Sequence, residues 1–146
     1  MGRRRTALAQ AELDRAVADV DRELAADLEL MSMFDQTKQA FVLENAQFLR
    51  WRAVLEREMP VAYVPVASLY ERIPATETAM ERRGPAGSIR DDDRAVIQEW
   101  EGDAREAQRT LRAGAAAPPP SLWTELRRRL PSPLGRLIER LIGAPV

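Results

Sequence analysis

The sequence predicts an all-α protein: a long helix, a shorter antiparallel helix and a C-terminal amphipathic helical tail. The first observation is that Thr6 to Met59 contains neither Pro nor Gly and is rich in Ala, Leu, Glu and Arg. The second is that apolar residues recur every three or four positions from Asp91 to Leu111. Helices have this period, whereas strands alternate every two residues. We therefore expect a coiled-coil-like hairpin or a small bundle.

The composition limits the chemistry available to the chain. Its 146 residues include no Cys and no His. Thiol nucleophiles, His general bases and the usual Cys/His ligands of zinc, haem and iron–sulfur clusters are therefore excluded. The sequence also lacks a Gly-rich phosphate loop and a recognisable pair of catalytic carboxylates. We predict no catalytic residue, no cofactor and no metal site, and hence no enzymatic activity.

Charge and hydropathy give no sign of a membrane protein. The net charge of −1 exerts no overall attraction on nucleic acid or anionic lipid. No run approaches the roughly 18 consecutive apolar residues of a membrane span. After the Arg3–Arg5 run, Ala7–Ala11 is followed at once by Glu12 and Asp14, which leaves no room for the apolar core of a signal peptide. We expect a cytoplasmic protein.

The long stretch carries two apolar patterns. A stripe with spacings of three and four comprises Leu13, Val17, Val20, Leu24, Leu28 and Met31. A strict seven-residue repeat then follows at Phe34, Phe41, Phe48 and Leu55, with Trp51 beside it. A seven-residue repeat is typical of coiled coils, so these last five residues are interpreted as partner-binding.

Two features leave the form of the long helix open. Lys38, Asn45 and Arg52 occupy the second core position of each heptad, where polar residues fix register. The alternative is that the stripe drifts around the helix and these residues face water. The helix is also expected to be either continuous to Met59 or broken near Ser32 or Asp35, which would give a compact bundle.

Prolines interrupt the helical pattern after Met59. Pro60, Pro65 and Pro74 are spaced so that a long helix or a central strand is disfavoured. We expect an extended corner followed by one or two short helices. The last of these is predicted to begin with Thr76 as N-cap and to end before Gly84.

The return helix has an acidic beginning. Ser88 and Asp91 have the spacing of a capping box, and Asp91–Asp93 then fall in the first turn, where negative charge is favoured. An acidic triplet also suits a divalent cation, but the alternating ligands and central Gly of a calcium loop are missing. We therefore assign the triplet to the helix start, and Gly114 to its end.

The chain is predicted to divide into a body (1–114), an Ala/Pro linker (115–120) and a basic amphipathic tail (121–146). Three consecutive prolines favour an extended spacer. The tail combines apolar residues at Leu122, Trp123, Leu126, Leu130, Leu134, Leu137, Ile138, Leu141 and Ile142 with basic residues at Arg127, Arg128, Arg129, Arg136 and Arg140. Such a segment binds a partner groove or an anionic membrane, or folds back on the acidic stretch from Glu12 to Asp35.

These features predict a structural or adaptor protein. The long helix would span about 80 Å and the return helix only about 30 Å, so part of the stripe would stay exposed for a homo-oligomer or larger assembly. The tail would dock onto a second protein. Candidate partner-binding residues are Phe34, Phe41, Phe48, Trp51, Leu55, Trp123, Leu126, Leu130, Leu137, Ile138 and Leu141. The alternatives are a membrane-surface protein anchored by the tail and, least favoured, a DNA-binding accessory protein.

Overall fold

The computed structural model describes residues 5–116, which form five α-helices and no strand. The helices are α1 (Ala7–Thr37), α2 (Ala46–Glu58), α3 (Pro60–Glu71), α4 (Ile73–Glu81) and α5 (Asp91–Ala116), with a 3₁₀ turn at Pro85–Gly87. The all-α fold class is confirmed, with a long first helix packed against shorter ones. The predicted tail, 121–146, lies outside the described residues.

Four helices close into a bundle. α1 packs against α2, α2 against α3, α3 against α5, and α5 against α1, while α4 packs on α5. Arg5, just before α1, donates a hydrogen bond to the carbonyl of Glu58 at the end of α2. Gln10 of α1 donates to the carbonyl of Ala115 at the end of α5. Helices adjacent in the ring are therefore antiparallel, and we call the end of the bundle where α5 finishes the exit end.

The long stretch is broken, so the expectation of one continuous helix to Met59 is wrong. α1 ends when Lys38 adopts the left-handed conformation, with φ 58° and ψ 24°, and its N–H donates to the carbonyl of Phe34. Residues 38–45 are irregular, and α2 then runs back along α1. The expected alternative, a break that produces a bundle, is the one observed, two residues beyond Asp35. The seven-residue repeat therefore does not lie on one helix, and Phe41 sits in the connection.

The proline-rich segment is helical, not the extended corner that we expected. Pro60 opens α3 and Pro74 is the second residue of α4, positions where a missing N–H costs little. Only Pro65 lies inside a helix, where it removes a single backbone hydrogen bond. Thr76 is not an N-cap: it lies within α4, and its hydroxyl donates to the carbonyl of Arg72.

α5 begins at Asp91 as expected, but its N-terminal cap and its C-terminal end differ from expectation. Its first backbone hydrogen bond joins the N–H of Arg94 to the carbonyl of Arg90, so Ser88 lies outside the helix and forms no capping box. Asp91–Asp93 do occupy the first turn. The helix passes through Gly114 to Ala116, and Gly114 packs closely against α3: a Cβ there would meet Met59 Cε and lie 3.6 Å from Ala62 Cβ.

The apolar stripe of α1 is buried inside the single chain. Leu13, Val17, Val20, Leu24 and Met31 all belong to its core. α5 is tied to α3 through Trp100, whose indole N–H donates to the carbonyl of Leu69 at 3.0 Å. The stripe is not left exposed as expected from the helix lengths, because α2 and α5 both cover α1.

Candidate functional site

Two buried acids on α1 are the groups that most resemble a functional site. Glu23 is 4% exposed and Asp27 is fully buried. Buried titratable groups beside a cleft are candidates for catalysis or binding, although structural networks also bury acids. The hydrogen-bond partners of these two side chains decide between the two roles.

Glu23 caps a helix that is not its own. Its carboxylate accepts the backbone N–H groups of Gln47 at 2.7 Å and Phe48 at 3.1 Å, in the first turn of α2. First-turn amides have no partner within their own helix, and the helix dipole favours negative charge there. Asn45 occupies the N-cap position of α2 but makes no capping hydrogen bond with its side chain. The long-range Glu23 carboxylate therefore replaces the local cap.

Asp27 lies one turn further along α1 and holds the connection before α2. Its Oδ1 accepts the N–H of Glu44 at 2.6 Å, while Oδ2 is buried with no hydrogen-bond partner. Burial raises the pKa of Asp27 to about 7; the Glu44 hydrogen bond opposes the rise, and the charges of Glu23, Glu44 and Glu77 add to it.

A third acid completes the arrangement from the opposite side. Glu77 of α4 accepts the N–H of Leu43 at 2.8 Å. Carboxylates from α1 and α4 thus receive four amides between residues 43 and 48. We call Glu23, Asp27 and Glu77 the carboxylate clamp.

Aromatic packing extends the clamp to α3. Tyr70 donates its hydroxyl to Glu23 at 2.9 Å, and its ring stacks on Phe48 with centroids 4.2 Å apart. Tyr63 stacks on Phe48 as well, at 6.1 Å. Burial raises the pKa of the Tyr70 phenol and the charge of Glu23 raises it further, so the hydroxyl keeps its proton and donates. Glu23 therefore joins α1, α2 and α3.

A groove of about 370 Å³ opens beside the clamp between α1 and the start of α2. Its lining residues are Asp19, Arg22, Glu23, Ala26, Glu44, Gln47 and Arg50. The α1 acids in this lining already accept hydrogen bonds from other parts of the protein. Glu23 does so as described above, and Asp19 accepts the indole N–H of Trp51 at 2.9 Å. Asp27 has no exposed surface with which to touch a substrate. This geometry serves to hold the fold together.

No cation site accompanies these acids in the part of the chain from residue 5 to residue 116. There, no three or more Asp or Glu side chains are grouped so that they could hold a metal ion. The first-turn triplet of α5 illustrates why: Asp93 is buried and pairs with Arg82 at 3.5 Å, whereas Asp91 and Asp92 are exposed.

The partner-binding residues predicted on the long helix do not form a surface. Phe34, Phe48 and Leu55 are buried in the core of the single chain, which corrects their interpretation as contacts to another protein. Phe41 and Trp51 are half-buried and pack against that core. The remaining predicted site residues lie outside the described range: Trp123, Leu126, Leu130, Leu137, Ile138, Leu141, Arg127, Arg128, Arg129, Arg136 and Arg140.

The clamp was missed although one of its members leaves a signal in the sequence. The alternating spacing of α1 continues from Leu24 to Asp27 to Met31, which puts Asp27 at a core position of the stripe. An acid at such a position needs a hydrogen-bond donor from elsewhere in the chain. Glu23 and Glu77 lie outside this spacing and leave no comparable signal.

Exposed apolar side chains gather on one side of α3. Val61 is 60% exposed and Val64 66% exposed, and Pro65 beside them is also exposed. Residues separated by three and four positions lie on one side of a helix. We call Val61, Val64 and Pro65 the α3 face. It lies next to Ala62, which packs against Gly114 near the exit end.

Comparison of the chain with protein-family models, curated proteins and solved structures yields no match. Between residues 5 and 116, no helix has the length and apolar character needed to cross a membrane.

Replacing Glu23 with Gln is expected to destabilise the fold by about 3 kcal/mol, because a charged acceptor is lost and a buried amide group faces backbone donors. Chemical denaturation measures the change. Glu29→Gln is the matched control, since Glu29 is an exposed acid on the same helix; we expect it to change stability by less than about 0.5 kcal/mol. Equal effects of the two substitutions would contradict a capping role for Glu23.

Asp27 is expected to make folding stability fall as pH rises. Between its ordinary pKa of 3.8 and about 7, the folded state binds more protons than the unfolded state. This pKa difference corresponds to a loss of the order of 4 kcal/mol across that window. Asp27→Asn removes the titrating group, so urea unfolding at several pH values should give the variant a flatter profile. Parallel profiles for the two proteins would show that Asp27 does not titrate in this way.

Proposed function

We propose that the chain is a non-enzymatic adaptor, in which a self-contained helical body carries a basic amphipathic segment, residues 121–146, that docks onto a partner protein. The packing of the body supports this division. α2 and α5 of the same chain cover the apolar stripe of α1. An interface made by the long helix is not retained, since Phe34, Phe48 and Leu55 are committed to the core.

The pairing of acids within the body is the observation that carries the proposal. Glu12 pairs with Arg57 at 2.7 Å, and Asp21 pairs with Arg112 at 3.2 Å. Hydrogen bonds donated by residues between 44 and 70 are accepted by Asp19, Glu23 and Asp27. Five of the eight acids from Glu12 to Asp35 are thus engaged inside the body. The five Arg of the tail therefore have fewer acids to bind on α1, which favours an acidic surface on another protein.

Arg5, the last residue of the N-terminal basic run, is used inside the body. The Arg5 side chain is almost fully buried and its Nε lies 3.2 Å from Glu58 Oε2. This guanidinium binds Glu58 at the exit end of the bundle, so it is not available to bind a phosphate. The basic residues proposed for recognition are therefore those of the tail.

In-cell crosslinking tests the proposal with the full chain and a variant carrying Arg127→Gln, Arg128→Gln and Arg129→Gln. We expect the variant to lose the main crosslinked protein. The matched control is Arg105→Gln with Arg109→Gln, which removes exposed positive charge from α5 and should keep that protein. Phosphatidylserine vesicles should not retain the full chain.

Three outcomes would contradict the adaptor function. Vesicle binding that the tail substitutions abolish would indicate a membrane-surface protein instead. DNA binding that weakens steeply with salt would indicate a nucleic-acid partner. The same crosslinked proteins in all variants would show that the tail is not the docking element.

A further inference from the structure

The α3 face brings exposed apolar side chains together on one helix, whereas other exposed apolar residues, such as Leu8 and Val42, are on different parts of the bundle. The opposite side of α3 is buried through Val66 and Leu69, whereas Val61, Val64 and Pro65 on the outer side are exposed. Further along the same outer side the exposed residues are polar, Ser68 and Glu71. The exposed apolar surface is therefore confined to the start of α3, and we expect a covering segment there.

The chain leaves the described bundle beside this face. Ala115, at the end of α5, packs against the core and accepts a hydrogen bond from Gln10 at 3.3 Å. Gly114 lies against Met59 and Ala62, the residues that flank the start of the α3 face. Residues 117–146 thus begin at a fixed point next to Val61.

Length and composition match the segment that follows to the α3 face. Ala117 to Ser121 can extend by about 16 Å if the prolines impose the polyproline II rise. α3 is about 18 Å long at the helical rise per residue. Leu122, Trp123, Leu126 and Leu130 are therefore within reach of Val61 and Val64. A short tether gives an effective concentration in the millimolar range, so a small apolar contact suffices to hold the segment.

The other site on the body, the acidic stretch of α1, is less suited to this segment. Its acids are largely paired inside the bundle, as described above, and its apolar stripe is buried. Docking by the apolar side of residues 122–130 requires exposed apolar partners, and α3 supplies them at the exit end.

The geometry points to the α3 face as the docking surface for the chain's own residues 122–130. Leu126 and Leu130 lie on Val61 and Val64 in this arrangement, and Arg127–Arg129 are left to face solvent. The inference concerns the isolated protein and stands whether or not the adaptor function is correct. It extends that function, because the docked segment would present its basic side in a fixed orientation.

Paramagnetic relaxation enhancement on the full chain tests this contact. The sequence has no Cys, so Thr124→Cys provides a unique site for a nitroxide label. Methyl signals of Val61 and Val64 should lose intensity through broadening, whereas those of Val42 and Val96, also exposed, should not. Adding Leu126→Asn and Leu130→Asn should restore the Val61 and Val64 signals. Arg128→Gln is the matched tail control and should leave the broadening in place.

Each remaining outcome overturns the inference. Broadening that Leu126→Asn and Leu130→Asn do not change would reflect the tether alone. Broadening centred on α1 methyls such as Ala18 or Ala25 would place the segment on the acidic helix. A further sample mixes nitroxide-carrying chain without isotopes with isotope-labelled chain that carries no nitroxide. Broadening in this mixture would mean that a second copy of the chain supplies the segment. Unchanged Val42 and Val96 methyl signals report whether the body stays folded in each variant, which separates a folding defect from loss of the contact.

Discussion

The fold depends on one buried carboxylate. Glu23 accepts the first-turn amides of α2 and the hydroxyl of Tyr70, so a single side chain on α1 fixes the start of α2 and the packing of α3. Burying a charge is unfavourable unless it is well hydrogen-bonded, and here a helix N-terminus and a phenol supply the donors. Glu77 likewise accepts an amide of the connection before α2, and Asp27 accepts another through one of its two carboxyl oxygens. The acidic character of α1 is therefore largely structural.

The clamp explains why the long stretch folds back instead of continuing. Lys38 ends α1 in a left-handed conformation that Gly adopts more easily, so the local sequence favours this break only weakly. The hydrogen bonds of the clamp and the stacking of Phe48 on Tyr70 stabilise the turn-back from a distance. Once α2 lies on α1, α3 and α5 close the ring, and the end of α5 is held beside α3. The position from which residues 117–146 leave follows from these contacts.

Local sequence patterns predicted much of this fold, and tertiary interactions account for the rest. The helical class, the apolar stripe from Leu13 to Met31 and the acidic first turn of α5 follow from periodicity and helix-end chemistry, whereas the burial of the stripe within a single chain did not. The break at Lys38 did not, because its main cause is a set of carboxylates on α1 and α4. Pro60 and Pro74 looked like helix breakers although they sit at helix starts. The spacing through Asp27 was the one available clue to the clamp. Phe34 and Phe48 are buried because the chain turns back between them, and their seven-residue spacing gives no indication of that turn.

Amide hydrogen exchange measured residue by residue tests the clamp most directly. If the clamp holds this segment, exchange is slow at Leu43 and Glu44, which lie outside any helix, and at Gln47 and Phe48, whose first-turn position normally gives little protection. The neighbouring amide of Val42, which the clamp does not hold, should exchange much faster. Equal, fast exchange across residues 42–48 would contradict the claim that the carboxylates hold this segment.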